Sequence, residues 1–453
     1  MNKYILLIIA AFSISIETRA DDVFSASGRL DLRGVEARHS DSVKEDPGAA
    51  GRFKFDVNGS SWSFHSWLEG EWDGTIKRPA RDRRLFKNYQ DVYQSNTPYL
   101  EFKELYVQHS SAALDLRAGL QRFAWGRLDE FPPNDLLNPW DYTQFLRKSL
   151  EDRKIGVPSI SASLNKGDWT CDMVWVPWLV PYRLPMPDER WSGISNASAL
   201  SHIPNVEIVP SEPDLPSRAI KNSNIGIRAR HTGDLEWALN LYHGYDPHPV
   251  FKTTSLVITP LPDKLMIDPG YAPDLHRITS IGLDSAMVKG DWSLRAEAAY
   301  IMNRYYNIRR ELWGYPTFPL PGVYSPNDIG LKTDVLDYGI GADYRIVEDW
   351  LLTMQAQQTF ILGNTDLLYE RKAETILSAI LKVSWMNQKF ETNASFAYNP
   401  EHGDTMAKAN AWYIFTDAWK AGVSAIGLNG PPQSLFGRYA RNDQAEAEVV
   451  YSW

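Results

Sequence analysis

The chain has 453 residues and a formal net charge of −9, and 23 % of its residues are charged. The acidic balance argues against nucleic acid as a partner. The single cysteine, Cys171, excludes an intramolecular disulfide framework and a CxxCH haem attachment site. Beyond the amino terminus, charges recur too often for the roughly 18 to 20 apolar residues of a membrane-spanning helix, so a helical membrane protein is excluded as well.

The first twenty residues, 1–20, have the layout of a secretory signal peptide. Lys3 supplies a positive start, an apolar run continues to Ile16, and Thr18-Arg19-Ala20 offers a small-residue cleavage site. Asp21 follows where a lipoprotein would have its lipidated cysteine. The pattern predicts a signal peptide that is removed before the rest of the chain folds.

Segments of about ten residues with alternating apolar and polar side chains recur along the chain. In the segment 291–303 the even-numbered residues are apolar, whereas Ser293, Arg295 and Glu297 lie on the opposite face. The segment 334–346 repeats this pattern. A period of two indicates strands with one wet and one dry face, which soluble β-sandwiches and jelly rolls also have.

Short turns alternate with long connections, and this favours a membrane barrel over a soluble one. The short turns are 165–168, 232–234, 289–291, 347–349, 387–388 and 416–418, and the long connections lie near 38–49, 75–96, 125–154, 178–221, 246–275 and 305–332. Outer-membrane barrels have short periplasmic turns and long extracellular loops. The strands between these connections number about 18, or 16 without the irregular fourth and sixteenth, and an extra hairpin near 253–258 is a further alternative.

Aromatic residues follow the short turns and also end the chain. We predict that they form an interfacial girdle on the outer face. Its members are Trp169, Trp237, Trp292, Trp350, Trp419 and Trp453. The last strand, which ends on Trp453, resembles the carboxyl-terminal strand by which the barrel-assembly machinery recognises its clients.

Together these patterns predict an all-β fold, a single transmembrane antiparallel β-barrel formed by residues 21–453. The expected location is the outer membrane of a Gram-negative bacterium, with both termini in the periplasm. The expected partners are outer-membrane lipid, the barrel-assembly machinery during biogenesis, and a periplasmic or inner-membrane transport partner if the barrel serves one.

A barrel of about 18 strands is too wide for its own side chains to fill, so we expect an aqueous lumen. The predicted lumen wall carries both signs of charge and does not indicate ion selectivity. For any single residue of this set, a plain solvated wall is the simpler interpretation. These residues are Arg29, Arg33, Arg52, Lys54, Arg117, Arg228, Arg230, Arg295, Glu297, Asp337, Asp343, Arg345, Glu446 and Glu448.

The first two strands and the last one are neighbours in a closed barrel. The basic residues of the former, from Arg29 to Lys54, should therefore lie near Glu446 and Glu448. Salt bridges across the closure seam are the simpler interpretation, and a track for an acidic solute is the alternative.

The connection 125–154 is the best candidate for a constriction, because it follows the fifth strand and general porins fold the loop at that place into the lumen. Its prolines stiffen it, and a short helix is expected over 141–150. A cap over the outer mouth is the alternative to inward folding. The residues that could line an eyelet are Arg127, Asp129, Glu130, Asp135, Asp141, Arg147 and Lys148.

A resemblance to a known family rests on the stretch 116–141. Its pattern is Arg117-Ala118-Gly119-Leu120-Gln121-Arg122, then Trp125-Gly126, Asn134-Asp135 and Asn138-Pro139-Trp140-Asp141. This resembles uncharacterised porin-like outer-membrane proteins, and alginate-export-type barrels are the nearest characterised architecture. The resemblance covers about a tenth of the chain and implies a channel. Because such export channels are arginine-rich inside and this predicted lumen is mixed, it does not extend to alginate.

The connection 178–221 contains many prolines and is interpreted as an extended external loop, which would be a lid, a partner surface or a plain surface loop. No Ser/His/Asp or HExxH arrangement occurs among the nine histidines, so we predict neither an enzyme nor a bound metal or cofactor. Three functions remain. They are a channel for hydrophilic solutes, an export duct for a polysaccharide or a pump substrate, and a barrel that sheathes or anchors a partner protein.

Overall fold

A computed structural model describes residues 24–39, 42–73, 99–183, 191, 206–208, 216–246, 248, 250–253, 256–260, 262, 265–268, 271–309, 322–324 and 330–453. The predicted signal peptide and most of the predicted external loop 178–221 lie outside these residues.

In this part of the chain, eighteen long strands form one antiparallel sheet, which confirms the predicted fold class and the higher of the two strand counts. The strands are β1 (Phe24–His39), β2 (Ser42–Asn58), β3 (Trp62–Asp73), β4 (Tyr99–Ser110), β5 (Leu114–Gln121), β6 (Val157–Lys166), β7 (Trp169–Val176), β8 (Asn224–His231), β9 (Leu235–Tyr245), β10 (Arg277–Lys289), β11 (Trp292–Asn307), β12 (Gly330–Val347), β13 (Trp350–Ile361), β14 (Ala373–Trp385), β15 (Phe390–Asn399), β16 (Asp404–Ile414), β17 (Trp419–Asn429) and β18 (Gln444–Ser452).

The sheet closes on itself. Each strand pairs with the next, and β1 pairs with β18 from Arg29 opposite Ser452 to Ala37 opposite Gln444. Two backbone hydrogen bonds between Gly28 and Trp453, with N···O distances of 3.1 and 3.0 Å, extend the seam to the last residue. Closure leaves no strand edge with unpaired backbone groups.

The connections at one end of the barrel are tight turns. Between β6 and β7, Lys166 pairs with Trp169, so that Gly167 and Asp168 form a two-residue turn. Gly167 has φ +59°, a left-handed conformation that glycine adopts without steric cost. Both ends of the described chain lie at this rim, here called the tight-turn rim, and the opposite one is the long-loop rim.

The long connections contain small sheets of their own. Residues 256–260 and 265–268 form a hairpin that pairs with 322–324 and 206–208, and 250–253 pairs with 271–274. A hairpin thus exists near the predicted 253–258, but outside the barrel wall. The expected long connection 38–49 is wrong, because β1 and β2 remain paired as far as His39 and Ser42. Residues 38–46 are mostly polar and do not alternate, because backbone hydrogen bonds alone can hold this hairpin together. The strands therefore could not be recognised from the sequence pattern.

The helix expected over 141–150 is also wrong. A single 3₁₀ turn, Phe145–Arg147, is followed by a one-turn α-helix, Leu150–Arg153. Phe145 has φ +37°, which interrupts a continuous helix, and the Ser149 hydroxyl accepts a hydrogen bond from the Asp152 N–H to begin the second turn. Among the described residues, no helix is both long and apolar enough to cross a bilayer.

Within the described strands, the sheet has register shifts at three places, one of them at Arg345 and Val347 beside a tight turn, and the other two concern residues that face the interior. One lies between β3 and β4 at Trp67 and Leu68, and the other between β11 and β12 at Ile301 and Arg304. An extra residue in one strand reverses the face of every side chain beyond it.

Candidate functional site: a loop across the barrel interior

The barrel is polar on its inner face and apolar on its outer face. On β9 and β10 the outward side chains Leu241, Ile281 and Leu283 are about half exposed, whereas Asn240 and Asp284 between them are buried. A barrel that folds in water places its apolar side chains inside, so this distribution is inverted. The outer face suits lipid, and the inner face suits water and polar groups.

Aromatic rings lie at both ends of the outer apolar band. At the tight-turn rim, Trp169 packs perpendicular to Trp237 with 5.3 Å between ring centroids, and Tyr451 stacks on Trp453 at 5.6 Å. The remaining predicted girdle residues are also at this rim and contact other rings, Trp292 on Tyr344, Trp350 on Trp385 and Trp419 on Tyr451. Toward the long-loop rim the outward rings include Tyr300 and Tyr338.

Residues 122–156, here called the lumen loop, connect β5 to β6 and contact strands on opposite sides of the barrel. On one side the loop is bound by β10, β11 and β13, and on the other side by β2, β3 and β18. Those two groups of strands are about half the circumference apart. The loop therefore lies across the polar interior.

Glu297 of β11 is the principal attachment on the first side. Its carboxylate accepts hydrogen bonds from the backbone N–H groups of Arg127, Leu128 and Asn134, at 2.8, 3.2 and 2.7 Å. Gly126 makes this approach possible, because its φ is +94° and an added Cβ would lie 2.5 Å from the carboxylate. One charged side chain thus fixes the loop backbone at three points.

Asp284 of β10 binds a second part of the same region. It lies 2.8 Å from the guanidinium of Arg127 and 3.0 Å from that of Arg228, and it accepts a hydrogen bond from Asn240 at 2.9 Å. Arg127 also contacts Glu236 at 2.8 Å. Asp284 is fully buried, and these donors compensate for the water that its carboxylate has lost.

Arg295 and Gln355 complete the attachment on this side. Arg295 donates to the backbone oxygen of Arg127 at 2.9 Å and contacts the carboxylates of Asp129 and Asp343 at 3.1 and 2.9 Å. The Gln355 side chain accepts from the Asp129 N–H and donates to its carbonyl oxygen, both at 2.9 Å. The loop backbone is bound here much as a strand is bound by a neighbouring strand.

On the opposite side the loop is held by ion pairs. Lys148 lies 2.5 Å from Glu71, and Arg147 lies 3.0 Å from Glu446. Asp152 is 2.5 Å from Arg52. The carboxylate of Glu71 also contacts Arg33 at 2.8 Å. The same carboxylate thus binds one cation of the wall and one of the loop.

The loop also has a core of its own. Lys154 contacts the Asp135 carboxylate at 2.5 Å, and the Asn138 side chain donates to the carbonyl oxygens of Gln121 and Ile155. Burial raises the pKa of Asp135 above its usual value despite the neighbouring ammonium. The loop's apolar side chains pack against wall residues and form the largest buried cluster, which includes Trp125, Leu136, Leu137, Val174, Val176, Tyr242, Ile278 and Ile301.

Residues 177–183, the first part of the next connection, also enter the interior. Arg183 lies 2.7 Å from Asp141 of the lumen loop and 2.8 Å from Glu101 of β4. Burial alone would raise the pKa of Asp141, but the Arg183 guanidinium outweighs this effect and the pKa lies below its usual value. Arg183 thus ties the lumen loop to the wall.

A second apolar cluster joins the lumen loop to the connection before β18. Phe145 lies 4.5 Å from Tyr439 and 6.2 Å from Trp191, measured between ring centroids. Phe436 completes this contact and is buried. Aromatic pairs at such distances add to the stabilisation gained from burial.

The predicted eyelet residues are all attached to neighbours, and two of them do not face open water. Asp135 is 6 % exposed and Asp141 is 1 % exposed, because each is enclosed with its cationic partner. Glu130 pairs with Arg153 of the loop itself at 2.5 Å. The accessible charges of the loop are acidic, since the side chains of Asp129, Glu130 and Glu151 are 46, 40 and 71 % exposed.

At the closure seam one expected contact is present. Arg29 lies 3.7 Å from Glu448. Arg33 and Arg52 contact β3 instead, at Glu71 and Glu69, which the sequence analysis did not include.

The other predicted wall residues have varied surroundings. Lys54 lies 3.9 Å from the Trp67 ring centroid, and Arg117 donates to Gln108 at 2.8 Å. Arg230 is partly buried on β8, and Arg345 is exposed next to the tight turn after β12.

Arg304 is an interior residue that sequence reasoning missed. Strict alternation along β11 puts residue 304 on the outer face with Tyr300, but the bulge after Ile301 turns it inward. Its guanidinium contacts Asp246 at 2.8 Å and Asp337 at 3.2 Å. Asn303, with φ +64°, is the position in the sequence at which such a bulge could have been suspected.

In the described part of the chain, no group of three or more His, Cys, Asp or Glu side chains could hold a metal ion.

No protein-family model matches the sequence, and no curated protein matches it. The fold does match solved structures. OccK8 (OprE) of Pseudomonas aeruginosa is 10 % identical, with a TM-score of 0.51 over 95 % of this chain and 97 % of that one. OccAB1 of Acinetobacter baumannii is 8 % identical, with a TM-score of 0.51 over 95 and 96 %. OccAB3 of the same organism is 9 % identical, with a TM-score of 0.50 over 96 and 100 %.

Proposed function

We propose that the protein is an outer-membrane channel for small hydrophilic solutes and that the lumen loop narrows its passage. The observation that carries this proposal is the attachment of the lumen loop to opposite walls of a polar interior, by Glu297 on one side and Glu71 on the other. Eighteen strands enclose more space than wall side chains alone can fill. A loop that crosses this space divides it and sets the size of what can pass.

The proposed membrane placement rests on the outer surface. Its apolar side chains form a band bordered by aromatic rings, which matches the lipid-facing band of outer-membrane barrels. Such barrels have their short turns in the periplasm. We therefore assign the tight-turn rim, with both ends of the described chain, to the periplasm.

The passage should favour cations. The cationic side chains of the lumen loop are 18 % exposed or less, whereas the side chains of Asp129, Glu130 and Glu151 are 46, 40 and 71 % exposed although each pairs with an arginine. Charges within about 8 Å of a permeating ion act on it at physiological ionic strength. A neutral or cationic solute is then a better substrate than an anionic one.

Single-channel recording in planar bilayers tests the proposal. The wild-type protein should give a conductance that rises with salt concentration. A variant in which residues 125–154 are replaced by a short Gly-Ser linker should conduct several-fold more. The matched control carries the same linker as an insertion between Gly167 and Asp168, in an exposed turn, and should conduct like the wild type.

Heat-modifiable migration on gels establishes that each protein is folded. Absence of conductance from both the folded wild type and the folded loop replacement would refute the channel.

The export duct remains a second candidate, favoured by the extent of the attachment. The lumen loop is bound around much of the circumference, and Arg183 adds a further tie. A wild-type barrel without conductance, together with a loop replacement that conducts, would support a duct that a partner opens. The same result would fit the third function considered from sequence, a barrel that sheathes or anchors a partner protein.

A further inference from the structure

Cationic side chains and aromatic rings alternate on the outer face near the long-loop rim. The Arg277 guanidinium lies 5.2 Å from the ring centroid of Tyr245, and the Lys372 ammonium lies 5.4 Å from that of Phe360. Between them, Tyr305 stacks on His276 at 3.6 Å. We call Tyr245, Arg277, Tyr305, Lys332, Phe360 and Lys372 the cation–aromatic row.

The strand register brings Tyr245, Arg277, Tyr305 and Lys332 close together. Tyr245 is opposite Arg277, and Tyr305 is opposite Lys332. Lys372 immediately precedes Ala373, which is opposite Phe360, and Phe360 is opposite Leu336, four residues along β12 from Lys332. Because neighbouring strands are about 4.8 Å apart, the cations at β10 and β12 are roughly 10 Å apart, and Lys372 extends the row with an offset along the strand direction.

The row faces outward. Arg277 shares the parity of the half-exposed Ile281 on β10, and Lys332 shares that of the exposed Ile340 on β12. The β11 bulge contributes directly, because by turning Arg304 inward it brings Tyr305 to the outer face. Lys372 is exposed just before β14 begins.

Backbone carbonyls hold two of the cations without neutralising them. Arg277 donates to the carbonyl oxygens of Lys221 and Ser223 at 3.1 and 3.2 Å. Lys372 donates to those of Leu362 and Gly363 at 2.9 and 2.8 Å. These bonds fix the side chains while each keeps its positive charge.

The third cation, Lys332, has an acidic neighbour. Asp334 accepts hydrogen bonds from the Tyr300 hydroxyl and the Asn303 N–H, at 2.7 and 2.9 Å. Its carboxylate therefore already accepts hydrogen bonds from other donors. The three cations of the row outnumber this one acidic neighbour, so the row keeps a net positive charge.

We propose that the cation–aromatic row binds the phosphate groups of an anionic lipid in the leaflet at the long-loop rim. Lys and Arg form charge-assisted hydrogen bonds with phosphate, and aromatic rings favour the headgroup level of a bilayer. A second copy of the chain is a poorer occupant. The acidic residues of the turns, such as Asp168, Asp291 and Asp349, lie at the opposite rim, so a copy inserted in the same orientation cannot offer them.

The inference rests on the proposed membrane placement, and native mass spectrometry of the purified barrel tests it. The probe is diphosphoryl lipid A, with the zwitterionic lipid phosphatidylethanolamine as comparison. Each Lys or Arg near an anionic lipid surface contributes about a fivefold factor in affinity, so the triple variant R277Q/K332Q/K372Q should lose at least tenfold of its lipid A binding. The matched control K166Q/K289Q/K389Q removes three exposed lysines from the tight-turn rim and should bind like the wild type.

Equal binding by the triple variant and the wild type would overturn the proposal, and so would an equal loss in the control. Competition of lipid A by millimolar inorganic phosphate alone would also overturn it, because it would show a phosphate site without a role for the lipid. Conductance measured on the same samples separates this result from the proposed function. A barrel that binds lipid A through the row but does not conduct would refute the channel only.

Discussion

At the scale of single residues, the position of the lumen loop depends most on Glu297. A carboxylate that accepts three backbone N–H groups acts on the loop as a whole, because those groups belong to residues up to seven positions apart in the chain. Hydrogen bonds to a charged acceptor are stronger than those to a neutral one. Gly126 matters through the same contact, since a side chain there would meet the carboxylate.

We therefore predict that Glu297→Gln detaches this end of the lumen loop. The amide would point an N–H₂ group at backbone donors, and leaving buried N–H groups without an acceptor should cost about 2 kcal/mol. The expected result is a higher and noisier single-channel conductance, together with a lower midpoint of urea unfolding followed by tryptophan fluorescence.

Glu448→Gln is the matched control, because this lumen-facing glutamate is 3.7 Å from Arg29 of the wall and lies apart from that end of the loop. A Glu297→Gln channel indistinguishable from this control would contradict the role given to Glu297.

At the scale of elements, period-two alternation located the strands but left the fourth and sixteenth open, and it did not give every side-chain direction. The fourth strand looked irregular because the register shift beside Trp67 lets both Lys103 and Glu104 face the interior. The sixteenth looked irregular because Met406 and Trp412 are apolar residues on the inner face. Alternation describes regular backbone, so it fails beyond a bulge.

The attachments of the lumen loop were less accessible to sequence reasoning than the wall. The inward-facing charges of the first two strands were expected to meet β18 alone, but Glu69 and Glu71 of β3 also pair with them. Arg183 belongs to a connection that was interpreted as external. Arg52 and Glu69 lie directly opposite each other on neighbouring strands. Arg33 and Glu71 are 38 residues apart and Arg183 and Glu101 are 82 apart, so no local sequence pattern indicates their proximity.

The accessible acids of the lumen loop lead to a prediction about selectivity. The triple variant D129N/E130Q/E151Q should lose more than half of the cation preference, because the loop then presents little accessible negative charge to permeating ions. The measurement is the reversal potential across a tenfold KCl gradient. The control D168N/D234N/D417N removes as many charges from the tight-turn rim, and an equal change in both variants would point to a general surface effect.

The Asp141 and Arg183 pair predicts how the loop responds to acid. Because the pKa of Asp141 is lowered in the folded protein, its contribution to stability is present above the ordinary value near 4 and is lost as the pH falls through the lowered pKa. The stability contributed by this pair should therefore be constant from pH 7 to about 5 and be lost below about pH 4, an acid step that the midpoint of urea unfolding followed by tryptophan fluorescence measures.

Asp141→Asn should lower the midpoint of unfolding already at pH 7 and show a smaller acid step than the wild type. Asp366→Asn, at an exposed position between β13 and β14, serves as the control and should keep the step. An unchanged acid step in Asp141→Asn would assign it to another group.

At the scale of the whole molecule, closure depends on the last residue. The backbone of Trp453 exchanges two hydrogen bonds with Gly28, and its ring stacks on Tyr451 at the tight-turn rim. Trp453→Ala should slow barrel assembly and reduce the heat-modifiable fraction on gels, since the ring anchors the seam at the interface. Trp62→Ala removes an exposed ring at the same rim but away from the seam, and an equal defect in that control would argue against a special role for Trp453.

The contacts of the lumen loop also have a consequence for the order of assembly. Asp129 binds Gln355, 226 residues further along the chain, and Arg147 binds Glu446, 299 residues away. Contacts of such separation form late in folding. Until β18 is in place, Arg147 lacks this carboxylate, so the attachment of the loop on that side is incomplete. The last strand thus closes the barrel wall and, in the same step, completes the attachment of the loop.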